Sequence, residues 1–204
     1  MTNKTDQLYF NPNYLVQLKW NNKYLLSFGT ITPNKKTKIS QGLRDLSGQT
    51  IRYRFMGPKK EFSQKELQYL TELDGWNHFG LGLEESVGHE RGVAIIRMVR
   101  SIVTYDVAEV AIVIIDEYQN IGLGKMLIEA IILAASEREI KTLAFSFLPG
   151  NTGILKLIQT VAPCEQTVNS IDLVQYVYKM DNLDLKKIKE SLALKIPHIA
   201  NFPL

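Results

Sequence analysis

The sequence has little of what disulfide-bonded, metal-binding and nucleic-acid-binding proteins use. Its 204 residues include one cysteine, Cys164, so no intrachain disulfide can form and no cysteine cluster can bind a metal. The three histidines, His78, His89 and His198, are scattered, without the close pair that many metal sites use. The formal net charge of +3 is too small to indicate a nucleic-acid partner. We therefore expect no bound metal ion and no nucleic-acid partner.

Long apolar runs are also missing. The first residues are polar and lack an apolar segment of signal-peptide length, and no run approaches the roughly eighteen apolar residues of a membrane span. These features predict a soluble, cytoplasmic protein without a membrane partner. The length and the hydrophobic content of 45% suit one globular domain with additions at its ends.

The most informative stretch is residues 107–124. Residues 107–115 are an almost unbroken run of β-branched and small apolar residues, which predicts a central strand buried on both faces and interrupted by one carboxylate, Glu109. A short acidic turn follows, and then Gly122 and Gly124 lead into a predicted helix over residues 125–138. The glycines therefore lie where a strand ends and a helix begins.

That position can bind an anion, because the first turn of a helix has unpaired N–H groups and the positive end of the helix dipole. Glycines let a phosphate approach those amides closely. Neither of two well-known phosphate loops fits, because one residue separates Gly122 from Gly124, Lys125-Met126 follows, and Leu127 stands where a dinucleotide loop has its third glycine. A plain glycine-rich turn is the alternative.

The surrounding pattern extends this interpretation. Gln-x-x-Gly-x-Gly at residues 119–124, after a buried strand and an acidic turn, resembles the acetyl-CoA signature of the GNAT superfamily of N-acetyltransferases. A second predicted strand at residues 142–147, followed by Pro149-Gly150-Asn151 and a helical stretch at residues 152–158, resembles the next landmark of that superfamily.

The first half of the chain resembles a narrower group of enzymes within this superfamily. Leu46-Ser47, Arg-Tyr-Arg-Phe at residues 52–55, Phe62-Ser63, and Leu70-Thr71 with Asp74 resemble a succession that introduces the acetyltransferase domain of bacterial Pat-type protein lysine acetyltransferases. The Arg-Tyr-Arg-Phe segment is close to the pattern of that group but not identical with it. Ser63 and Glu66 also predict a capping box at the start of a helix.

The resemblance implies an α/β (α+β) fold with a mixed, mostly antiparallel sheet and helices on both faces. A central pair of parallel strands would splay apart around acetyl-CoA. The predicted core strands fall at residues 78–84, 92–100, 107–115, 142–147 and 173–179, with a turn at residues 86–89.

The resemblance also implies acetyl-CoA as co-substrate and assigns residues to it. Backbone groups on the central strand would meet pantetheine, the glycine loop would hold the pyrophosphate, and an asparagine would approach from the other side. The residues are Ile112, Val113 and Ile114; Gln119, Asn120, Ile121, Gly122, Leu123, Gly124 and Lys125; and Asn151.

Glu109 is the candidate general base. A lysine ammonium has a pKa of roughly 10.4, so the amine must lose a proton before it attacks a thioester, and a strand carboxylate beside the cleft can accept that proton, especially if burial raises its pKa. In Pat-type enzymes the glutamate of an Ala-Glu pair at the start of this strand is the base, and Ala108-Glu109 resembles it. The alternative is a structural ion pair with Arg97 or Arg100. The tyrosine acid of many GNAT members has no counterpart in residues 154–158.

The ends of the chain read as additions. Residues 1–38 are predicted to be a β-hairpin extension with a basic linker, residues 39–180 the acetyltransferase domain, and residues 181–204 a tail with an amphipathic helix. The hairpin could join the main sheet or form a dimer edge, so a homodimer is a further expectation. The linker, residues 32–38, is expected to be solvated.

Three functions follow from the sequence. The favoured one is an N-acetyltransferase acting on a primary amine, with protein lysine as the acceptor. A small-molecule amine is the second acceptor class, because the loops at Trp76-Asn77 and residues 100–106 that would build an acceptor pocket carry no motif. The third is a non-catalytic acyl-CoA sensor or interaction module.

Overall fold

A computed structural model describes residues 4–59, 61–87 and 91–204. Within these residues, eight strands form one sheet in the order β1-β2-β3-β4-β5-β6-β8-β7. The strands are β1 Leu15–Trp20, β2 Tyr24–Thr30, β3 His78–Glu85, β4 Gly92–Arg100, β5 Val107–Ile114, β6 Thr142–Phe147, β7 Glu165–Asn169 and β8 Val174–Lys179. The helices are α1 Lys36–Arg44, α2 Gly48–Phe55, α3 Gln64–Thr71, α4 Leu123–Glu137, α5 Thr152–Val161 and α6 Leu185–Ala193.

The sheet is mostly antiparallel, as predicted. Strands β1 to β5 pair with their neighbours in antiparallel fashion, and β8 pairs antiparallel with both β6 and β7. Strands β5 and β6 are parallel, joined through helix α4. A parallel pair needs such a crossover, which explains why the long apolar helix follows the central strand directly.

Helices cover both faces of the sheet. Consecutive side chains of a strand point to opposite faces of the sheet, so Val113 and Ile114 of β5 lie on different faces. Val113 lines a small apolar cavity together with Leu43 of α1. A Cβ atom at Gly124 of α4 would lie 3.5 Å from Cδ1 of Ile114. Strand β5 is therefore enclosed between α1 and α4, in agreement with its apolar sequence.

The N-terminal hairpin is part of the main sheet. Its turn residues, Asn21 and Asn22, have φ angles of 49° and 55°, the left-handed conformation that a tight hairpin turn requires. Strand β2 then pairs with β3. The basic segment at residues 32–38 differs from the expected solvated linker, because α1 starts at Lys36 and the ammonium of Lys35 lies 2.5 Å from the carboxylate of Glu84.

The C-terminal tail forms the predicted amphipathic helix, α6. Ile188 and Leu192 are buried, and the helix packs against α4. Glu129 of α4, which is 1% exposed, accepts hydrogen bonds from Ser191 Oγ and Lys195 Nζ, both at 2.7 Å. The tail is therefore attached to the helix that follows the glycine loop.

Other differences from the prediction are local. Strand β7 was not expected, because all its residues are exposed and the segment lacks an apolar alternation. Helices α1 and α2 were not expected either, while the capping box of Ser63 and Glu66 at the start of α3 is confirmed. The predicted turn at residues 86–89 and His89 lie largely outside the described residues. None of the helices in the described parts of the chain is long and apolar enough to cross a membrane.

Candidate active site

The two parallel strands separate in the middle of the sheet. Strand β5 pairs with β6 at three positions, and the last of these joins Glu109 to Ala144. Beyond that pair, residues 110–114 of β5 and residues 145–147 of β6 form opposite walls of a cleft. The cleft encloses about 1160 Å³, including the part open to solvent. The lost pairing leaves backbone groups of both strands facing this space.

Most residues that the sequence assigned to the co-substrate line this cleft. They are Ile112, Val113, Ile114, Gln119, Asn120, Gly122, Gly124, Lys125 and Asn151. Two assigned residues do not line it. Leu123 is 1% exposed and packs in the core, while the carbonyl of Ile121 accepts a hydrogen bond of 2.9 Å from the indole of Trp20. The core holds the side chain of Leu123, and the hairpin holds the backbone of Ile121, so both residues support the loop.

The glycine loop presents an uncapped helix start to the cleft. Gly122 is the N-cap residue of α4, and it has no side chain to bond the amides of the first turn. Its φ angle of 95° is left-handed, which favours glycine. A Cβ atom at Gly124 would lie 2.8 Å from Cδ2 of Leu157 of α5, so a larger residue there would displace the Leu157 side chain. The arrangement suits an anionic group such as a pyrophosphate.

The polar side chains around the loop are bound to protein groups. Gln119 donates to the Ile114 carbonyl at 3.0 Å and to Thr50 Oγ1 at 3.3 Å. The Lys125 ammonium pairs with Glu129, and Asn151 accepts from the amide of Ile154 at 3.3 Å as the N-cap of α5. The groups left for a ligand at this end are therefore largely backbone amides.

Glu109 lies at the closed end of the cleft, where strand pairing stops. Its side chain is exposed rather than buried, and it is absent from the lining of the cleft. The alternative ion pairs are absent too within the described residues, because Arg97 donates to His78 and to the Tyr69 carbonyl, whereas Arg100 donates to backbone carbonyls. The carboxylate is thus open to an incoming molecule.

His78 lies on the same face of the sheet as Glu109, because His78, Val99 and Glu109 are in register across three strands. Its Nε2 atom accepts a hydrogen bond of 3.0 Å from Arg97 Nε. Burial, and then the charge of Arg97, lower the pKa of His78 to about 4. The imidazole is therefore neutral at pH 7, and its accepting nitrogen is already used.

Helix α2 contributes residues that sequence reasoning missed. Thr50, Tyr53 and Arg54, spaced to share one helix face, all line the cleft. The Tyr53 hydroxyl donates to the Gly150 carbonyl at 3.0 Å, which joins α2 to the loop after β6. The Arg-Tyr-Arg-Phe resemblance was the available signal, but it identified a family and gave no position in space.

Asp116 fixes the start of α2 beside β5. Its carboxylate accepts hydrogen bonds from Ser47 N at 2.9 Å, Ser47 Oγ at 2.7 Å and Thr50 Oγ1 at 2.9 Å. Burial opposes the charged form, but these hydrogen bonds prevail and hold the pKa of Asp116 below its ordinary value. The acidic turn after β5 thus positions one wall of the cleft.

The described parts of the chain contain no group of three or more His, Cys, Asp or Glu side chains placed to hold a metal ion. The cleft instead combines an uncapped helix start with separated strands, and the exposed carboxylate of Glu109 lies where the strand pairing ends. These are the elements that a pyrophosphate-containing thioester and an amine acceptor require.

Comparison with known proteins supports the fold. No protein-family model matches the chain. The GNAT domain of S. lividans PAT superimposes with a TM-score of 0.72 at 22% identity, over 81% of this chain and 96% of that one. YncA of Salmonella typhimurium, solved with acetyl-CoA, gives a TM-score of 0.63 at 12% identity, over 78% of this chain and 96% of that one.

Spermidine N-acetyltransferase of Vibrio cholerae, solved with CoA and spermine, gives a TM-score of 0.57 at 13% identity, over 77% of this chain and 96% of that one. The mostly antiparallel sheet of the described residues, with its one parallel pair of strands, matches the GNAT fold. The chain therefore has the fold of the GNAT N-acetyltransferases and resembles the GNAT domain of Pat.

Proposed function

We propose that this protein is an N-acetyltransferase that transfers the acetyl group of acetyl-CoA to a primary amine, with protein lysine as the acceptor and Glu109 as the general base. The observation that carries the proposal is the separation of β5 and β6 directly after Glu109, which opens the sheet onto a glycine loop at a helix start. The proposed transferase comprises residues 39–180, with the hairpin and tail as additions.

The cleft would hold acetyl-CoA along its length. The amides at Gly122 and Gly124 would receive the pyrophosphate, while the unpaired backbone of Ile112, Val113 and Ile114 would bond the pantetheine amides. Asn151 would approach from the opposite wall. Acetyl-CoA supplies the activated acetyl group as a thioester.

Glu109 would accept the proton of the acceptor ammonium. The neutral amine nitrogen then forms a bond to the thioester carbonyl carbon and gives up its second proton to solvent. The carbon–sulfur bond breaks, and the CoA thiolate leaves and takes a proton from solvent. The exposed position of Glu109 supports this role, because a bound acceptor can reach the carboxylate without a change in the core.

The surroundings of Glu109 support a macromolecular acceptor. The loop between β4 and β5, which ends two residues before Ala108-Glu109, exposes Ile102 and Val103 at 98% and 90% of their surface and Tyr105 at 62%. Exposed apolar side chains in one short loop are typical of a surface that contacts another protein. A small-amine enzyme would more often enclose its acceptor.

An acceptor screen tests this proposal. CoA release would be measured with acetyl-CoA and, in turn, a lysine-rich unfolded protein, the same protein with its lysines methylated, spermidine and a set of amino acids. We expect release with the first only, matched by acetyl-lysine in mass spectra. Turnover with spermidine or an amino acid alone would replace protein lysine by a small acceptor, and no turnover with acetyl-CoA bound would favour an acyl-CoA sensor.

Two remaining expectations belong to the same proposal. The single cysteine suits a reducing compartment, so we place the protein in the cytoplasm, which cell fractionation would check. Homodimer formation through the edge strand β1 would be checked by the mass of the protein in solution.

A further inference from the structure

Arg54 occupies an unusual position at the closed end of the cleft. It lies on the face of α2 that also carries Thr50 and Tyr53, and its side chain lines the cleft beside Val110 and Ala111. These two residues of β5 immediately follow Glu109, at the point where the strands separate. Thr50 bonds Asp116 and Gln119 at the glycine-loop end, whereas Arg54 lies one turn further along α2, where the charge of Glu109 acts on it. Arg54 therefore lies at the end of the cleft that is opposite the glycine loop.

The guanidinium of Arg54 has no hydrogen-bond partner among the described residues. Its Nε atom is buried and unpaired, and its recorded contact is with the ring of Phe55 at 5.0 Å. The Nε atoms of Arg91 and Arg100 are also buried and unpaired, but the terminal nitrogens of those two side chains donate to protein groups. Arg138 donates to three backbone carbonyls at 2.8 to 3.0 Å. A buried hydrogen-bond donor without a partner lowers the stability of the fold. Its presence in the wall of a cleft therefore indicates that a ligand accepts the hydrogen bond.

Positive charge exceeds negative charge around Arg54. Burial, and then the charge of Arg97, lower the pKa of Arg54 to about 10, whereas Tyr69 and Glu109 act in the opposite direction. The guanidinium remains protonated at neutral pH. Neither Arg54 nor Arg97 forms an ion pair within the part of the chain that the structure describes, so the closed end of the cleft favours negative charge.

We propose that Arg54 is a catalytic residue that contacts the thioester and stabilises the negative charge that develops during acyl transfer. This inference rests on the proposed function. When the amine nitrogen bonds to the carbonyl carbon, negative charge forms on the carbonyl oxygen, and it passes to sulfur as the carbon–sulfur bond breaks. Arg54 keeps its proton throughout, and the departing thiolate is protonated by solvent.

With this assignment, Arg54 would stabilise the departing thiolate in a chain that has no counterpart, in residues 154–158, of the tyrosine acid of many GNAT members. Tyr53, the other candidate donor of α2, already donates its hydroxyl proton to the Gly150 carbonyl, near the open end of the cleft. A preorganised cation that acts on charge appearing only in the transition state raises kcat more than it improves binding. The effect of Arg54 should therefore appear in kcat.

The test compares Arg54→Met with Arg54→Lys and with Arg52→Met. Arg52 is exposed on the same helix, so its substitution removes an equal charge away from the cleft. We expect Arg54→Met to lower kcat per folded molecule by about 100-fold, the usual effect of losing one such donor, with the Kd for acetyl-CoA changed less than about 3-fold. Arg54→Lys should recover about a tenth of the activity or more, and Arg52→Met should behave as the unsubstituted protein.

Different failures are distinguishable. If the unsubstituted protein turns over acetyl-CoA and Arg54→Met keeps its kcat, the inference is wrong while the proposed function stands. A higher acceptor KM at unchanged kcat would make Arg54 an acceptor-binding residue and also contradict it. If Arg54→Met does not fold, Arg54→Gln takes its place under the same criteria. An unsubstituted protein that binds acetyl-CoA without turnover would remove both proposals.

Discussion

At the scale of single residues, substitution of Glu109 tests whether the protein uses this carboxylate as the general base of an enzyme. Glu109→Gln preserves the shape of the side chain but cannot accept a proton. We expect turnover to fall by roughly 100- to 10,000-fold, the usual contribution of a general base, with acetyl-CoA affinity unchanged. Higher pH should partly restore activity, because more of the acceptor amine is then neutral without help. Steady-state CoA release across pH checks both effects.

Glu117→Gln is the matched control for that experiment. Glu117 is a carboxylate of the turn after β5, paired with Arg91 away from the cleft. Its loss should leave turnover within about 3-fold, as expected for an exposed ion pair. A Glu109→Gln protein as active as Glu117→Gln would show that the base is another group or ordered water.

The candidate site residues could be predicted from the sequence where their environment is set by neighbouring residues in the chain. The run at residues 107–115 indicated both the strand and its single carboxylate, and the glycines indicated the uncapped helix start. The exposure of Glu109 and the placement of Arg54 beside it were not predictable. The placement of Arg54 depends on α2, which is attached through a hydrogen bond between Ser47 and Asp116, 69 positions apart in the sequence.

At the scale of elements, the attachment of α2 to the acidic turn should control one wall of the cleft. Asp116→Ala removes the acceptor of Ser47 and Thr50, so α2 should become mobile. We expect a several-fold higher KM for acetyl-CoA and a loss of about 1 kcal/mol in the free energy of unfolding, the usual net value of such hydrogen bonds. Asp172→Ala, at an exposed aspartate, is the control.

The stability effect of Asp116 should depend on pH in one direction. Its pKa is lowered in the folded protein, so its contribution is complete above its unfolded pKa, roughly 3.9, and disappears as the pH falls through the folded value. The free energies of unfolding of the unsubstituted protein and of Asp116→Ala, measured in urea, should therefore differ at pH 7 and converge as the pH falls through the folded pKa. A difference that grows on acidification would contradict the assigned hydrogen bonds.

Periodicity in the sequence predicted elements only where a face is regularly apolar. Strands β3 to β6 and helix α4 fulfil that condition. Helix α2 has no buried residue, and every residue of β7 is exposed, so neither carries such a pattern. The position of α2 depends on the hydrogen bonds of Ser47 and Thr50 to Asp116, and that of β7 depends on pairing with β8. Both are tertiary contacts.

At the scale of the whole molecule, the tail and the glycine-loop helix should behave as one unit. Glu129 is buried between Lys125, Ser191 and Lys195. Although burial opposes its charged form, these partners lower its pKa, so the carboxylate is ionised at neutral pH. Glu129→Gln leaves two lysines without their counter-charge and should cost about 3 kcal/mol of stability, as measured by urea unfolding.

Limited proteolysis gives the structural counterpart of that measurement. The tail beyond Met180 should be cleaved sooner in Glu129→Gln than in Glu190→Gln, whose carboxylate is exposed on α6. Equal stability and equal cleavage of the two variants would show that the tail is held by its apolar stripe alone.

Calorimetric titration of the purified protein with acetyl-CoA tests the central claim most directly. We predict one binding site per chain, and we predict that Gly122→Val weakens binding at least 100-fold. The substituted side chain would be forced into a left-handed conformation, which costs about 1 to 2 kcal/mol, and it would obstruct the loop amides. A folded, unsubstituted protein that takes up no acetyl-CoA would contradict the account, as would a Gly122→Val protein that binds it with unchanged affinity.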